Sequence, residues 1–203
     1  MGTTTNNGWP TPVATDLVKD GWEAIKDLGD AIDTTLGVYT ASATGLTKLS
    51  SASFTSVSSV SLPTDTFTTT YDNYRVMFFA VGGDVNFNIR LRSAGSDNTT
   101  SNYWWAGYYI GYGGSPSVIA RSGGGASNLT EIGGLSSGAG AYIIDIFNPK
   151  TSTTYTNMNF ISAESYSRMV SSQFRANTSF DSCSFLPASG TITGSYAVYG
   201  YNK

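Results

Sequence analysis

Val85-Asn86-Phe87-Asn88-Ile89-Arg90-Leu91-Arg92 is the stretch that decides the fold. Val85, Phe87, Ile89 and Leu91 alternate strictly with polar residues, the period of two expected of a β-strand with one buried and one wet face. Similar short runs recur at 54–62, 73–81, 103–110, 141–147, 155–163, 168–176, 180–186 and 191–201, with Gly, Asn, Asp and Pro between them. So many short strands broken by turn residues predict an all-β fold over residues 52–203, an antiparallel β-sandwich that is jelly-roll-like. No repeat of roughly 20 to 50 residues is visible, which argues against a solenoid or propeller. Eleven of the 23 glycines fall between Gly107 and Gly140, a density that predicts long surface loops there.

Upstream of the strands the period changes. Leu17, Val18, Trp22, Ile25, Leu28, Ile32 and Leu36 follow i, i+3, i+4 spacing, which predicts one amphipathic helix over 16–37, with Thr15 or Asp16 capping its start and Gly37 ending it. Val18, Trp22, Ile25, Gly29, Ile32 and Leu36 alternate by four and three, the pattern of a coiled-coil seam. Val18, Trp22, Ile25, Ile32 and Leu36 are therefore the candidate oligomerisation residues, and a homo-oligomer, a trimer in the first instance, is expected. Gly21 and Gly29 oppose this, each costing a helix about 1 kcal/mol; the competing reading folds the helix back on its own β domain. Residues 38–51, rich in Ser, Thr and Ala, read as a linker. Residues 1–15 are polar and carry Pro10 and Pro12, so they are expected to be extended and to order only against a partner, with Trp9, Pro10, Pro12 and Val13 as a short apolar anchor.

Composition removes several function classes. Charged residues are 12% of the chain while aromatics reach 13%, too aromatic for a disordered polypeptide. The net charge of −3 is uneven: residues 1–39 hold six acids against two lysines, so residues 40–203 carry a net +1. Neither part offers the basic patch that nucleic-acid binding needs. No run of about 18 apolar residues occurs, so no membrane insertion is expected.

The chain has no histidine and one cysteine, Cys183, set among Phe180 and Phe185 as a small core hydrophobe would be. Gly134-Leu135-Ser136-Ser137-Gly138 matches the G-x-S-x-G nucleophile pattern, but the serine has no histidine base anywhere in the sequence to take its proton. A carboxylate pair could in principle serve a glycosidase, with Asp72, Asp84, Asp97, Glu131, Asp145, Glu164 and Asp181 available, although most adjoin turns. Asp97 alone is thin ligation for calcium. The expectation is a non-enzyme without cofactor or metal. The aromatic group Trp104, Trp105, Tyr108, Tyr109 and Tyr112, following Tyr103 and with Arg121 nearby, is the candidate contact surface. Strand alternation sends about half of it to the core and leaves the rest for stacking on sugars or packing on proteins.

Tyr71-Asp72-Asn73-Tyr74-Arg75-Val76, Ile89-Arg90-Leu91-Arg92-Ser93-Ala94-Gly95-Ser96-Asp97-Asn98 and the close Val198-Tyr199-Gly200-Tyr201 together resemble a β domain of tailed-bacteriophage virion structural and tail-fibre proteins, over about residues 52 to 201. Pro12-Val13-Ala14-Thr15-Asp16-Leu17-Val18-Lys19-Asp20-Gly21 is similar to the attachment segment that begins many phage virion proteins. The resemblance implies a location on the tail or capsid surface and a fold class; it implies no catalytic residue. A short fibre or spike is expected, held to other virion proteins by its N-terminus and attaching through its β domain to a host-surface glycan or protein. The alternative is a capsid decoration or head-fibre protein with a mechanical role.

Overall fold

A computed structural model describes residues 2–5, 7–11, 13, 20–41, 45–82, 86–112, 118–134, 139–164 and 166–202. The chain divides into two units, Met1–Gly45 and Leu46–Lys203.

In the first unit, β1 (Gly2–Thr3) pairs antiparallel with β2 (Pro10–Thr11). The turn between them is closed by the Thr4 amide on the Trp9 carbonyl at 2.8 Å and the Trp9 amide on Thr4 Oγ1 at 3.0 Å. The segment expected to be extended is thus a small hairpin, because Thr4 and Gly8 supply the turn that composition alone obscures. It is tied to the helix α1 (Gly21–Ala41) through Trp9, whose Nε1 donates to Thr35 Oγ1 at 2.9 Å. The helix runs four residues beyond Gly37: glycine is a tolerated helix residue as well as a stop, and Gly37 is not in the left-handed region. Val18, the proposed caps Thr15 and Asp16, and Pro12 lie outside the described residues.

In the second unit the strands are β3 (Leu46–Val57), β4 (Val60–Ser61), β5 (Asn73–Gly82), β6 (Asn86–Ser93), β7 (Ser96–Asp97), β8 (Tyr103–Gly111), β9 (Val118–Ala126), β10 (Leu129–Gly134), β11 (Ala139–Phe147), β12 (Thr156–Ala163), β13 (Tyr166–Phe174), β14 (Ser182–Pro187) and β15 (Ile192–Tyr201). They form an antiparallel β-sandwich of unequal sheets. The larger has eight strands in the order β3-β15-β5-β11-β12-β13-β8-β9; the smaller runs β10-β6-β14-β4, with β7 on β6.

Two expectations are corrected by this layout. Residues 46–51, expected as linker, are the first half of edge strand β3, where Leu46 to Ser51 pair with Tyr201 to Ala197. Their Ser and Thr content is what an exposed edge strand carries to discourage pairing with other chains. Among the described residues between Gly107 and Gly140, β8, β9, β10 and β11 stand where loops are expected, while 113–117 and 135–138 lie outside the described residues. The glycines are admitted by aromatic rings. A methyl group added at Gly123 would overlap the Trp105 ring, and one at Gly124 the Trp104 ring, so the two indoles lie over the bare backbone of β9 and shield it.

The core lies between the sheets. Phe78 of the large sheet sits 4.4 Å from Phe185 and 5.0 Å from Phe87 of the small one, centroid to centroid. Tyr103 joins the layers by hydrogen bonds: its hydroxyl accepts from the Leu91 amide at 2.9 Å and donates to the Asn98 carbonyl at 3.0 Å. Burial raises its pKa. Cys183 is fully buried in the same core, and burial pushes its thiol up as well.

The motif Arg90 to Asn98 builds a hairpin clamp on the small sheet. Ala94 and Gly95 both have positive φ, 49° and 75°, as a type I′ turn requires. The Ala94 amide donates to Asp181 Oδ2 at 2.6 Å, and the Arg92 guanidinium donates to the Gly95 carbonyl. Asp97 faces Arg92 Nε at 3.1 Å and Arg90 Nη1 at 3.8 Å and accepts from Ser184 Oγ at 2.7 Å. The two arginines expected to be solvated are therefore half-buried against β7.

Candidate functional site

The outer face of the eight-stranded sheet is turned away from the core, and register fixes what it presents. Inward positions on β5, β11, β12 and β13 are Tyr74, Val76 and Phe78; Tyr142, Ile144 and Ile146; Met158 and Phe160; Val170 and Phe174, all buried. The intervening residues face outward and line up across the strands. Ala197, Met77, Ile143, Ile161, Met169, Tyr108 and Ala120 stand opposite one another, one per strand from β15 to β9. Two residues further along, the next row is Ser195, Phe79, Ala141, Ala163, Ser167, Ile110 and Val118. No charge occurs in either row. Met77, Phe79, Ile161, Met169, Tyr108 and Val118 are exposed.

On the other side of the Met77 row the face becomes polar. Tyr199, Arg75, Asp145, Asn159, Ser171, Ala106 and Ser122 form one row. Arg75 grips Asp145 with two hydrogen bonds, Nε to Oδ1 and Nη2 to Oδ2, each 2.7 Å, and the Tyr201 hydroxyl adds a third to Oδ1 at 2.9 Å. Burial pushes the Asp145 carboxyl up, but the hydrogen bonds from Arg75 and Tyr201 outweigh it and hold the group below the ordinary carboxylate range. At the far edge lies a ladder of amides: Arg175 Nε donates to Gln173 Oε1 and Gln173 Nε2 to Asn157 Oδ1, each at 3.0 Å, while the Arg175 guanidinium sits 4.4 Å from the Trp104 ring centroid.

Three adjoining hollows mark this face. One of about 750 Å³ lies over Tyr108, Ile143, Asn159, Ile161 and Met169. One of about 570 Å³ lies over Trp104, Ser122, Asn157, Gln173 and Arg175. One of about 500 Å³ lies over Met77, Phe79, Ile143 and Tyr199. Exposed aromatic and aliphatic side chains beside fixed amides and hydroxyls are groups capable of stacking, apolar burial and hydrogen bonding.

The candidate contact residues divide between the two faces. Trp104 and Tyr108 point outward, and Tyr112 is exposed at the end of the strand. Trp105 packs against the core and Tyr109 is buried beneath two guanidinium groups, Arg168 at 4.5 Å and Arg121 at 5.5 Å from its ring centroid. Tyr109 is therefore not brought to the surface that Trp104 and Tyr108 share, whereas Trp105 edges the hollow beside Trp104 and the exposed Arg121 lines the one over Tyr108. In the first unit, Trp22, Ile25 and Leu36 are 68%, 66% and 57% exposed and Ile32 is half-buried, whereas Ala24, Leu28, Ala31 and Thr35 form the covered face. Of the anchor residues, Trp9 and Pro10 belong to the hairpin and Val13 is exposed.

Four of the seven carboxylates considered for glycoside chemistry have polar partners in the structure. Asp97 and Asp145 face arginines, Glu164 is buried 2.6 Å from Arg168, and Asp181 caps the Ala94 turn. Asp84, Leu135–138 of the serine pattern and the Glu131 side chain lie outside the described residues. Among the described residues no group of three His, Cys, Asp or Glu side chains could hold a metal, and no helix is long and apolar enough to cross a membrane.

Sequence reasoning did not single out Met77, Phe79, Ile143, Ile161 and Met169. The signal was present in Val76-Met77-Phe78-Phe79-Ala80-Val81 and Tyr142-Ile143-Ile144, where apolar residues fill both phases of the strand period. Such runs depart from the alternation of an antiparallel sheet with one solvated face.

The fold is an antiparallel β-sandwich with an apolar and aromatic outer face, joined to a hairpin-helix unit. No protein-family model matches the chain, and no curated protein matches its sequence. Among solved structures, that of a galectin from Caenorhabditis elegans is similar at 11% identity, covering 73% of this chain and 94% of that chain with a TM-score of 0.31; a likeness of that size bears on neither ligand nor partner.

Proposed function

We propose that the chain is a non-enzymatic structural protein of a phage particle, a short oligomeric appendage, trimeric in the first instance, whose β domain attaches to a host surface. Its placement on a virion rests on the resemblance of Tyr71–Val76, Ile89–Asn98 and Val198–Tyr201 to tailed-phage β domains. The structural observation that carries an attachment role is the polar end of the outer sheet face, where Trp104 is edged by the Arg175-Gln173-Asn157 ladder above a hollow of about 570 Å³. Preset amides beside a partly exposed indole offer directional donors and acceptors together with apolar contact. Oligomerisation through Trp22, Ile25, Ile32 and Leu36 is supported by the seam, which a single chain leaves largely uncovered.

Immunogold labelling of purified particles, with antibody raised against this chain, tests the location. Gold on the particle surface is the expected result, and unlabelled particles that carry no trace of the chain overturn the reading. Trp104→Ala then tests the attachment face: the variant should fold and enter particles yet adsorb more weakly to host cells, and adsorption equal to wild type removes the ladder from the attachment site.

A further inference from the structure

We infer that the apolar rows on the outer face of the eight-stranded sheet are an interface between copies of this chain, a second contact in addition to the helix seam. The inference rests on the oligomeric reading given above.

Strands with one wet face should carry polar residues on it, yet Met77, Ile143, Ile161, Met169 and Tyr108 continue one another across five neighbouring strands, flanked by Phe79 and Val118 in the next row. An antiparallel sheet with one solvated face alternates apolar with polar residues, and a contiguous exposed apolar patch of this extent marks an interaction surface. Strands spaced about 4.8 Å apart, with same-face residues about 6.8 Å apart along each, make the two rows over seven strands a patch of about 500 Å². The whole outer face over nine-residue strands is about 1,000 Å² on the same spacings. A stable interface takes about 800 Å² from each partner, with an apolar centre and a polar rim. The two apolar rows with the Arg75, Asn159 and Ser171 row as rim make about 700 Å², within the range of one half of a standard interface, and have its anatomy.

The occupant is a second copy because the two apolar rows themselves carry nothing that selects another partner by charge, Arg175 lying at the edge beside Trp104. The two apolar rows contain no ionised group, and the Arg75 guanidinium in the rim is matched twice by Asp145. Apolar rows without an ionised group meet their own copy without repulsion. The Trp104 ladder lies two rows from the Met77 row, at the edge, so the contact leaves it open to solvent.

The test uses the full chain and two kinds of variant. Ile25→Asp with Leu36→Asp charges the helix seam; Ile161→Glu with Met169→Glu charges the sheet face, at positions exposed enough that a carboxylate is solvated in the single chain. Circular dichroism and a melting curve confirm that each folds. Light scattering after size exclusion, over a micromolar to submillimolar series, then reads the mass. The seam variant should still associate as concentration rises, and adding the two sheet-face charges should leave a monomer throughout. In the seam-charged background, Ile161→Glu mixed with Ile161→Lys should associate where neither does alone. A seam variant that is monomeric throughout, with no gain on mixing, overturns the sheet contact while leaving helix-driven assembly standing. In the seam-charged background, association that survives charging the sheet face overturns it also. A monomer whose sheet-face charges instead abolish adsorption to cells assigns the face to the host surface.

Discussion

The Arg75-Asp145-Tyr201 cluster offers a quantitative check on the polar half of the outer face. Arg75→Gln, Asp145→Asn and the double variant form a thermodynamic cycle in which the packing of β5 against β11 is nearly preserved. A hydrogen bond to a charged group contributes about 1.5 to 3 kcal/mol where water is excluded, whereas exposed ion pairs contribute about 0.2 to 1 kcal/mol. The Arg75 and Asp145 side chains are 34% and 20% exposed and joined by two bonds of 2.7 Å. Screening at that exposure places the coupling between those limits, at about 1.5 kcal/mol. Because the folded-state pKa of Asp145 is depressed, the contribution is complete above the ordinary carboxyl value of 3.8 and is lost as pH falls through the lower folded value. Urea unfolding followed by circular dichroism, at fixed protein concentration, should give a coupling that is flat from neutral pH down to about pH 4 and shrinks below it. A coupling under about 0.3 kcal/mol at neutral pH, or one undiminished in strong acid, would refute the cluster as a fixed element of the face.

Three further predictions concern single backbone positions. Ala94 occupies a left-handed position in the hairpin after β6, so Ala94→Asn, the residue a type I′ turn favours before glycine, should raise stability by about 1 kcal/mol in the same urea assay; a loss would show that the Asp181 clamp needs alanine there. Gly194→Ala would drive a methyl group into the Phe79 carbonyl between β15 and β5, and should destabilise by more than about 2 kcal/mol, whereas Gly21→Ala, with open space around it, should stabilise the helix by a few tenths to about 1 kcal/mol.

The sequence by itself determined the class of fold and the positions of most strands. Alternation at 73–81, 141–147, 155–163, 168–176 and 191–201 is a local property set by the pleat, and the strands formed close to those bounds. It also determined the helix and its exposed seam, since a period near 3.6 is equally local. Glycine-rich β9 and Ser-rich β3 were not legible as strands, because their pairing is supplied by neighbours distant in sequence, by indole rings over Gly123 and Gly124 and by the backbone of β15. Cross-strand register likewise decided which aromatics meet: Trp104 and Trp105 are adjacent in sequence, yet the pleat sends them to opposite faces, one beside Arg175 and the other toward the core. The apolar row from Met77 to Tyr108 joins residues up to 92 positions apart, Met77 to Met169. Each strand carries one member of it, which is unremarkable alone; only the hydrogen-bonded register of the sheet, a tertiary property, makes them one surface.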